Sequence, residues 1–544
     1  MARASVPVLV LVLVPGPHLG SGPGPGPGPG PRSATLARAS GLGPGPGPGP
    51  GLGSGPAPGP GLGVGPGSGP RPRSRLAPAP GLGPGWRRPP GPAPVPGAGG
   101  PVPPGRTGHS AGMDAHRRPP ADHTLSLIAG GYAWLPQRIR QSPDRTVPLR
   151  VMGRPALALS GPEAVRFFYD EHNVHRHGAI PEPVTGTLFG HGAVHTLDGR
   201  THRQRKELFL PLLEPDRIAG VVGHVTAAWD EAVPEWAARP RVVLFDEAAA
   251  VLTRGVCRWA GVPLEDTEAR SVAADLVAMV DGFATLGPRH WRARRARARQ
   301  EARAARLVED VRSGRGPAAG RPDSLLARVA AHPDADGGRL PVRTAAVELL
   351  NVVRPTVAVG WFVTFAAHAL HRWPAHRERL RDGDPAYAAA FAHEVRRFYP
   401  FAPFLGGRAA RDLTWRGHEV PAGGTVLLDV FGQNHDQELW ADPYTFRPRR
   451  FLERPPQRDE LIPQGGSDPR TGHRCPGEGV TVGLLESLAV RLARLEYEVP
   501  AQDLRISLRR IPARVRSGFA VTAVHETGQW PAAAGSRAGA GAGS

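Results

Sequence analysis

The chain has 544 residues, with 67 Lys and Arg against 48 Asp and Glu, a formal net charge of +19, 71 Gly, 64 Pro and two Cys. Two cysteines exclude a disulfide-stapled scaffold, and no CxxC or HxxxH partner lies near Cys475 to make a structural zinc site. Nine arginines and no acidic residue precede Met113, so nearly half of the excess charge belongs to a leader. The rest is spread along the chain, apart from a local basic face at Arg292 to Arg299, and does not favour nucleic-acid binding.

Composition divides the chain in three. Residues 1–112 are a low-complexity Gly/Pro-rich leader that cannot bury enough apolar surface to offset its ordering entropy, and residues 528–544 read the same way. Residues 113–527 have the composition of one large globular domain. The apolar run Val6 to Val14 behind Arg3 has the length of a signal-peptide core and is too short to span a bilayer. No small-x-small cleavage site follows it, and Met113 opens ordinary sequence, so a start at Met113 and a cytoplasmic location are expected, with no membrane span.

In chain order, Val147 to Gly161 alternates and turns at Met152-Gly153, which predicts a hairpin, and Pro162 to Glu171 reads as a helix. A Gly-rich loop then leads into a helix from about Gly199 that carries His202 and Lys206 on one face. Lys206 is the one lysine of the chain. A His and a Lys so placed hold a pair of carboxylates, such as heme propionates, or simply face water. Ala219 to Leu307 is helical in pattern, with Trp229, Trp236 and Trp259 as expected core anchors, Cys257 as a small buried hydrophobe, and a break at Gly287 in GPRHW. Ser313 to Leu340 reads as a polar connector.

Thr344 to Trp373 predicts the longest helix, apolar almost all round and therefore buried. Arg354-Pro355 interrupts it. Proline removes a backbone hydrogen bond at a cost of roughly 3 kcal/mol, and a buried guanidinium without an anion costs several more. Two penalties on adjacent residues point to function, with an internal Asp or Glu partner as the alternative. Asp384-Pro385 caps a further helix carrying Glu394 and Arg397 at ion-pair spacing, and a hairpin is expected around Pro421 to Gly424 before FRPRRF, which contains Arg450.

Pro463 to Gly479 (PQGGSDPRTGHRCPGEG) sets Cys475 after glycines and before a helix with Val480, Leu484, Leu488 and Leu492 at four-residue spacing. The positive end of that helix, with His473 and Arg474 alongside, favours a thiolate, while Gly465, Gly466 and Gly472 let a large flat ligand approach. An open metal ligand and a free cysteine in a turn both fit this position.

Glu394 with Arg397, Phe446-x-Pro448-x-Arg450-Phe451 and Cys475-x-Gly477, in this order, resemble the cytochrome P450 superfamily. The resemblance implies a mainly α fold with a small β region, with heme b held between the long central helix and the helix of the cysteine loop. It makes Cys475 the proximal thiolate ligand of the iron and joins Glu394, Arg397 and Arg450 in one ion-pair cluster. Arg354-Pro355 replaces the usual acid-alcohol pair of the central helix, and the cysteine loop lacks the usual aromatic and arginine. Both departures are similar to the bacterial hydrogen-peroxide-dependent fatty-acid peroxygenases, as are EVRRFYPFAPFLG, GPRHW and the His-x-x-x-Lys helix.

That branch implies hydroxylation of long-chain fatty acids at the alpha or beta carbon with hydrogen peroxide and no redox partner, and decarboxylation to terminal alkenes as a further outcome. Arg354 would anchor the substrate carboxylate, which then serves as the acid-base group, and Pro355 would make room for it. His195 and Phe189 would line the distal pocket, with His195 influencing product choice, and His202 and Lys206 would hold the heme propionates. A reductase-fed monooxygenase and a non-catalytic heme-binding sensor are the rival readings.

Overall fold

Residues 121–283, 285–317 and 320–525 are described by the computed structural model, and all lie within one compact unit of the chain. The leader before residue 113, the Val6 to Val14 run, the start at Met113 and the tail 528–544 lie outside the described residues.

Strand β1 (Thr146–Val151) turns at Met152-Gly153 into β2 (Arg154–Leu159), pairing Thr146 with Leu159 and Val151 with Arg154, as the alternation predicts. The short β3 (Val174–His175) follows the helix Pro162–Tyr169. A two-residue strand, β4 (Val242–Val243), interrupts the stretch that reads as continuously helical. Next come β5 (Phe404–Ala409), β6 (Leu413–Trp415), β7 (His418–Val420) and β8 (Thr425–Asp429), and finally β9 (Glu496–Glu498) and β10 (Ala520–His525). The main sheet has the order β1-β2-β8-β5-β3, with β8 parallel to β2 and antiparallel to β5.

The hairpin expected around Pro421 to Gly424 is displaced. The tight turn is Arg416-Gly417, both at positive φ (49° and 80°), and it joins β6 to β7. Two adjacent positive-φ residues match the twist of a two-residue hairpin, whereas Pro421 to Gly424 links β7 to a strand of another sheet. The connector Ser313 to Leu340 also differs from its reading, since Leu325–Ala331 forms a helix capped by the Ser324 side chain.

The helical mass encloses a central helix, Val342–Arg372, of 31 residues, about 46 Å long at 1.5 Å per residue. It packs against Leu244–Ala260, Pro288–Arg312 and Glu478–Arg494. Among the described residues it alone is long and apolar enough to cross a membrane, but 94% of its apolar window is buried inside the protein, which makes it a core helix. Trp229 and Trp236 are fully buried as expected and meet edge to face, whereas Trp259 is only half-buried. Cys257 is buried, and burial pushes its thiol up to about 12, so it behaves as a hydrophobe.

The helix Pro385–Phe398 begins where Asp384 accepts from the Ala386 N–H. It carries Glu394, wholly buried, which takes two hydrogen bonds from Arg397 (2.7 and 2.8 Å) and stands 3.1 Å from Arg450 Nε. The guanidinium groups in turn donate to carbonyls of Asn434, Pro443, Ala441 and Thr445, so this cluster ties the helix to the 434–450 loop. Replacing Glu394 with Ala leaves two buried cations without their anion, and a loss of about 3–5 kcal/mol is expected in chemical denaturation.

Candidate active site

Cys475 sits half-buried at the end of the glycine loop, with Gly477 as N-cap of the helix Glu478–Arg494. Leu484, Leu488 and Leu492 of that helix are fully buried, and Val480 nearly so, against the core that includes the central helix. Glycine is required in the loop by close approach. A Cβ on Gly465 (φ 95°) would lie 2.3 Å from the Tyr169 hydroxyl, and one on Gly466 2.2 Å from a Val165 methyl.

The sulfur is backed by a polar layer that the sequence reading passed over. Gln464 Nε2 lies 3.9 Å from Cys475 Sγ and donates to Thr481 Oγ1 at 2.9 Å, while Gln464 Oε1 accepts from Arg396 at 3.1 Å. Arg396 and Arg474 both pair with Glu478. The helix start does not by itself secure a thiolate. Burial first, and Glu478 second, push the Cys475 thiol above its ordinary value, against the Gly477 N–H, Lys206 and Arg396. A coordinated metal supplies the missing charge.

His202 and Lys206 are both buried on the helix Gly199–Lys206. His202 stacks on His473 (ring centroids 3.8 Å apart), and Lys206 Nζ donates to the carbonyls of Gly472 and Arg474, fastening the helix to the cysteine loop. Burial holds His202 down at about 3, and burial lowers Lys206 to about 8. Asp198 accepts from the backbone N–H groups of Arg176 and His177, and His473 Nε2 stands 3.6 Å from it. Glu171, His202 and His473 bring ligand atoms within 4.8 Å of one another, with the two imidazoles stacked.

On the other side, Arg354 is 5% exposed in the central helix. Its one hydrogen bond is from Nη2 to Asn351 Oδ1 (3.2 Å), and its Nε has none. No Asp or Glu pairs with it among the described residues, so the internal-partner alternative fails. Burial, then the neighbouring Arg297, pull it down to about 9, while Cys475 acts in the opposite sense. A guanidinium still carries its charge at neutral pH. Pro355, next in the helix, has no N–H for the Asn351 carbonyl, so the ladder is broken at the turn that carries Arg354.

Arg354 lies 5.8 Å over the Phe189 ring, and Phe189 packs on His195 at 4.4 Å. The Gly-rich loop that carries them is not irregular throughout: Thr185–Phe189 and Val194–Thr196 are short helical turns. Arg297 holds the first turn by donating to the carbonyls of Leu188 and Phe189 at 2.8 and 3.0 Å. His195 is held well below its ordinary value by burial, then by the charge of Arg354, and is neutral at physiological pH.

Buried polar atoms without a hydrogen bond include Arg354 Nε, His195 Nδ1, His202 Nδ1 and Arg176 Nη1, and His473 Nε2 has only the Asp198 carboxylate 3.6 Å away. Such groups are costly unless a ligand satisfies them. A flat dianionic macrocycle with a metal at the sulfur fits this donor set and the glycine cradle.

The Cytochrome P450 family model matches residues 385–466, which hold Glu394, Arg397 and Arg450. Cytochrome P450 137 of Mycobacterium tuberculosis is 25% identical over 422 residues, covering 72% of this chain and 86% of that protein. Among solved structures, cytochrome P450SP alpha (CYP152B1) in complex with (R)-ibuprofen is 40% identical with a TM-score of 0.71, covering 75% of this chain and 100% of that one. A variant of cytochrome P450 OleT in complex with arachidonic acid is 34% identical at TM-score 0.71, covering 75% of this chain and 97% of that one. Cytochrome P450EX alpha (CYP152N1) with myristic acid is 33% identical at the same TM-score, covering 75% and 98%.

The chain belongs to the cytochrome P450 superfamily. Within it, the chain falls in the fatty-acid peroxygenase branch, as a heme-thiolate oxidoreductase in which Cys475 would hold the iron. Changing Cys475 to Ala is expected to abolish the carbon monoxide difference band of a thiolate-bound ferrous heme, and a band kept in full would contradict this ligation.

Proposed function

We propose that the enzyme uses hydrogen peroxide, without a reductase, to oxidise long-chain fatty acids next to their carboxyl group. The observation that carries this reading is Arg354, a buried guanidinium in the central helix whose one polar partner is a neutral amide. Relatives of the chain are named as complexes with arachidonic acid, myristic acid and (R)-ibuprofen, all carboxylic acids. A carboxylate is the anion whose shape matches the planar fork of arginine.

When bound, thiolate-ligated heme supplies oxygen transfer, the sulfur donating electron density that favours cleavage of a peroxide O–O bond. This chain's residues do the rest. Arg354 would hold the substrate carboxylate, whose oxygen would take one proton from peroxide and give it to the departing oxygen, which leaves as water. The anchored end of the chain places the alpha and beta carbons nearest the site of oxygen transfer. Fatty acid and peroxide give hydroxy acid and one water; when the carboxyl group is lost instead, they give a terminal alkene, carbon dioxide and two waters. Phe189 walls the pocket, and His195, neutral with one ring N–H, biases the choice between these outcomes. His202 and Lys206, with His473 beside them, would hold the heme propionates. Neither cysteine is in a disulfide, which suits the cytoplasm.

Purified holoenzyme with a long-chain fatty acid and hydrogen peroxide is expected to form hydroxy acids and alkenes without a reductase. Arg354→Ala is expected to lower kcat/KM by about 100-fold, the scale of losing a buried charge-assisted pair. Unchanged turnover in Arg354→Ala would overturn the anchoring role, and activity only with an added reductase would favour a monooxygenase. Because the depressed His195 pKa leaves the ring neutral above pH 6.5, the alkene-to-hydroxy-acid ratio is expected to stay flat from about pH 6.5 to 9. An alkene share that climbs as pH falls through that range would mean an imidazolium supplies the proton.

A further inference from the structure

Glu348 lies on the central helix, fully buried, six residues before Arg354. Its Oε1 accepts from the Val194 N–H at 2.8 Å and from Arg205 Nη1 at 3.0 Å. Its Oε2 accepts from Asn351 Nδ2 at 3.1 Å, and Asn351 Oδ1 in turn accepts from Arg354 Nη2 at 3.2 Å. The three residues are spaced i, i+3, i+6, so each contact is made between neighbours across one helical turn. Burial pushes the Glu348 carboxyl upward, and its three donors oppose that shift.

The direction of the Asn351 amide is the informative part. An ionised carboxylate only accepts, so Asn351 must turn its NH2 to Glu348, which leaves its oxygen for Arg354. With a donor opposite, the amide would present its NH2 to the guanidinium and leave Arg354 unheld. The same carboxylate holds the backbone N–H of Val194, the residue before His195. Arg205, held also by Asp334 at 3.4 Å, balances the charge from the far side.

We propose that Glu348 is a positioning residue: through Asn351 it orients Arg354 for the substrate carboxylate, and through the Val194 N–H it fixes the turn that carries His195. The inference rests on the anchoring role of Arg354 and adds the group that sets its geometry. A purely structural Glu348 would support the fold and treat every ligand alike.

The test is a spectral titration of the holoenzyme with a long-chain fatty acid and with its methyl ester. In Glu348→Gln, close in shape, Gln Oε1 still serves Val194 and Arg205, but its NH2 faces Asn351 and reverses that amide. The dissociation constant for the acid is expected to rise about tenfold, with that for the ester within twofold of wild type. Asn351→Leu is expected to give the same selective loss, and the double variant no more than either single one, because both act through one contact. Should Glu348→Gln fail to fold, Asn351→Leu alone decides, by whether the acid is selectively weakened. Unchanged acid binding, equal losses for acid and ester, or additive losses would overturn the inference. Arg354→Ala separates the two claims: if it keeps wild-type preference for the acid, the anchoring role itself fails. If it abolishes the preference and Glu348→Gln does not, only the positioning role fails.

Discussion

A charged guanidinium held out of water, with one amide oxygen for company, governs the architecture of this site. Burying an ion without a partner costs several kcal/mol, and a chain that only needed to fold would place a leucine at position 354. Arg354 is tolerated because the surrounding structure is stiff: the central helix is packed on three sides, and Pro355 breaks the ladder at the turn where space is needed. The protein is thus electrostatically incomplete on the distal side until an anion arrives. In the proposed function that incompleteness is what selects carboxylic acids.

The positive groups around Cys475 divide into two sets with different partners. His202, Lys206 and His473 lie at the cysteine-loop edge, where Lys206 already bonds loop carbonyls and Asp198 stands near His473. Arg354 and the neutral His195 lie with Phe189 at the central helix. In the proposed arrangement the first set meets carboxylates of the cofactor and the second the carboxylate of the substrate, so each anion has its own cation. Arg297, which shores up the Phe189 turn, is itself paired with Glu301 and does not compete for substrate.

Much of this was legible in the sequence because the informative residues break a bland pattern. Cys475 stands in a glycine loop, Arg354-Pro355 interrupts an apolar helix, Lys206 is the one lysine among arginines, and Glu394, Arg397 and Arg450 recur at fixed spacing. What escaped was partnership. Glu348 and Asn351 were visible as polar residues in the same apolar helix, spaced three apart before Arg354, but Val194 and Arg205, which complete their network, are more than 140 positions away. The β8 strand was misjudged for the same reason: Pro421 to Gly424 is rich in turn formers, yet the strands that β8 pairs with, β2 and β5, are set by tertiary packing. Likewise, a helix start favours a thiolate locally, while burial and Glu478 decide the balance at Cys475.

The claim that Arg354 selects for carboxylates is tested most directly by comparing one long-chain fatty acid with its methyl ester on the unaltered holoenzyme, following the heme absorption spectrum. Binding of the acid at least about tenfold tighter than the ester is the result this account predicts, since only the acid offers the anion that the buried guanidinium lacks. Equal affinities would contradict it, and would mean that Arg354 is satisfied in some other way.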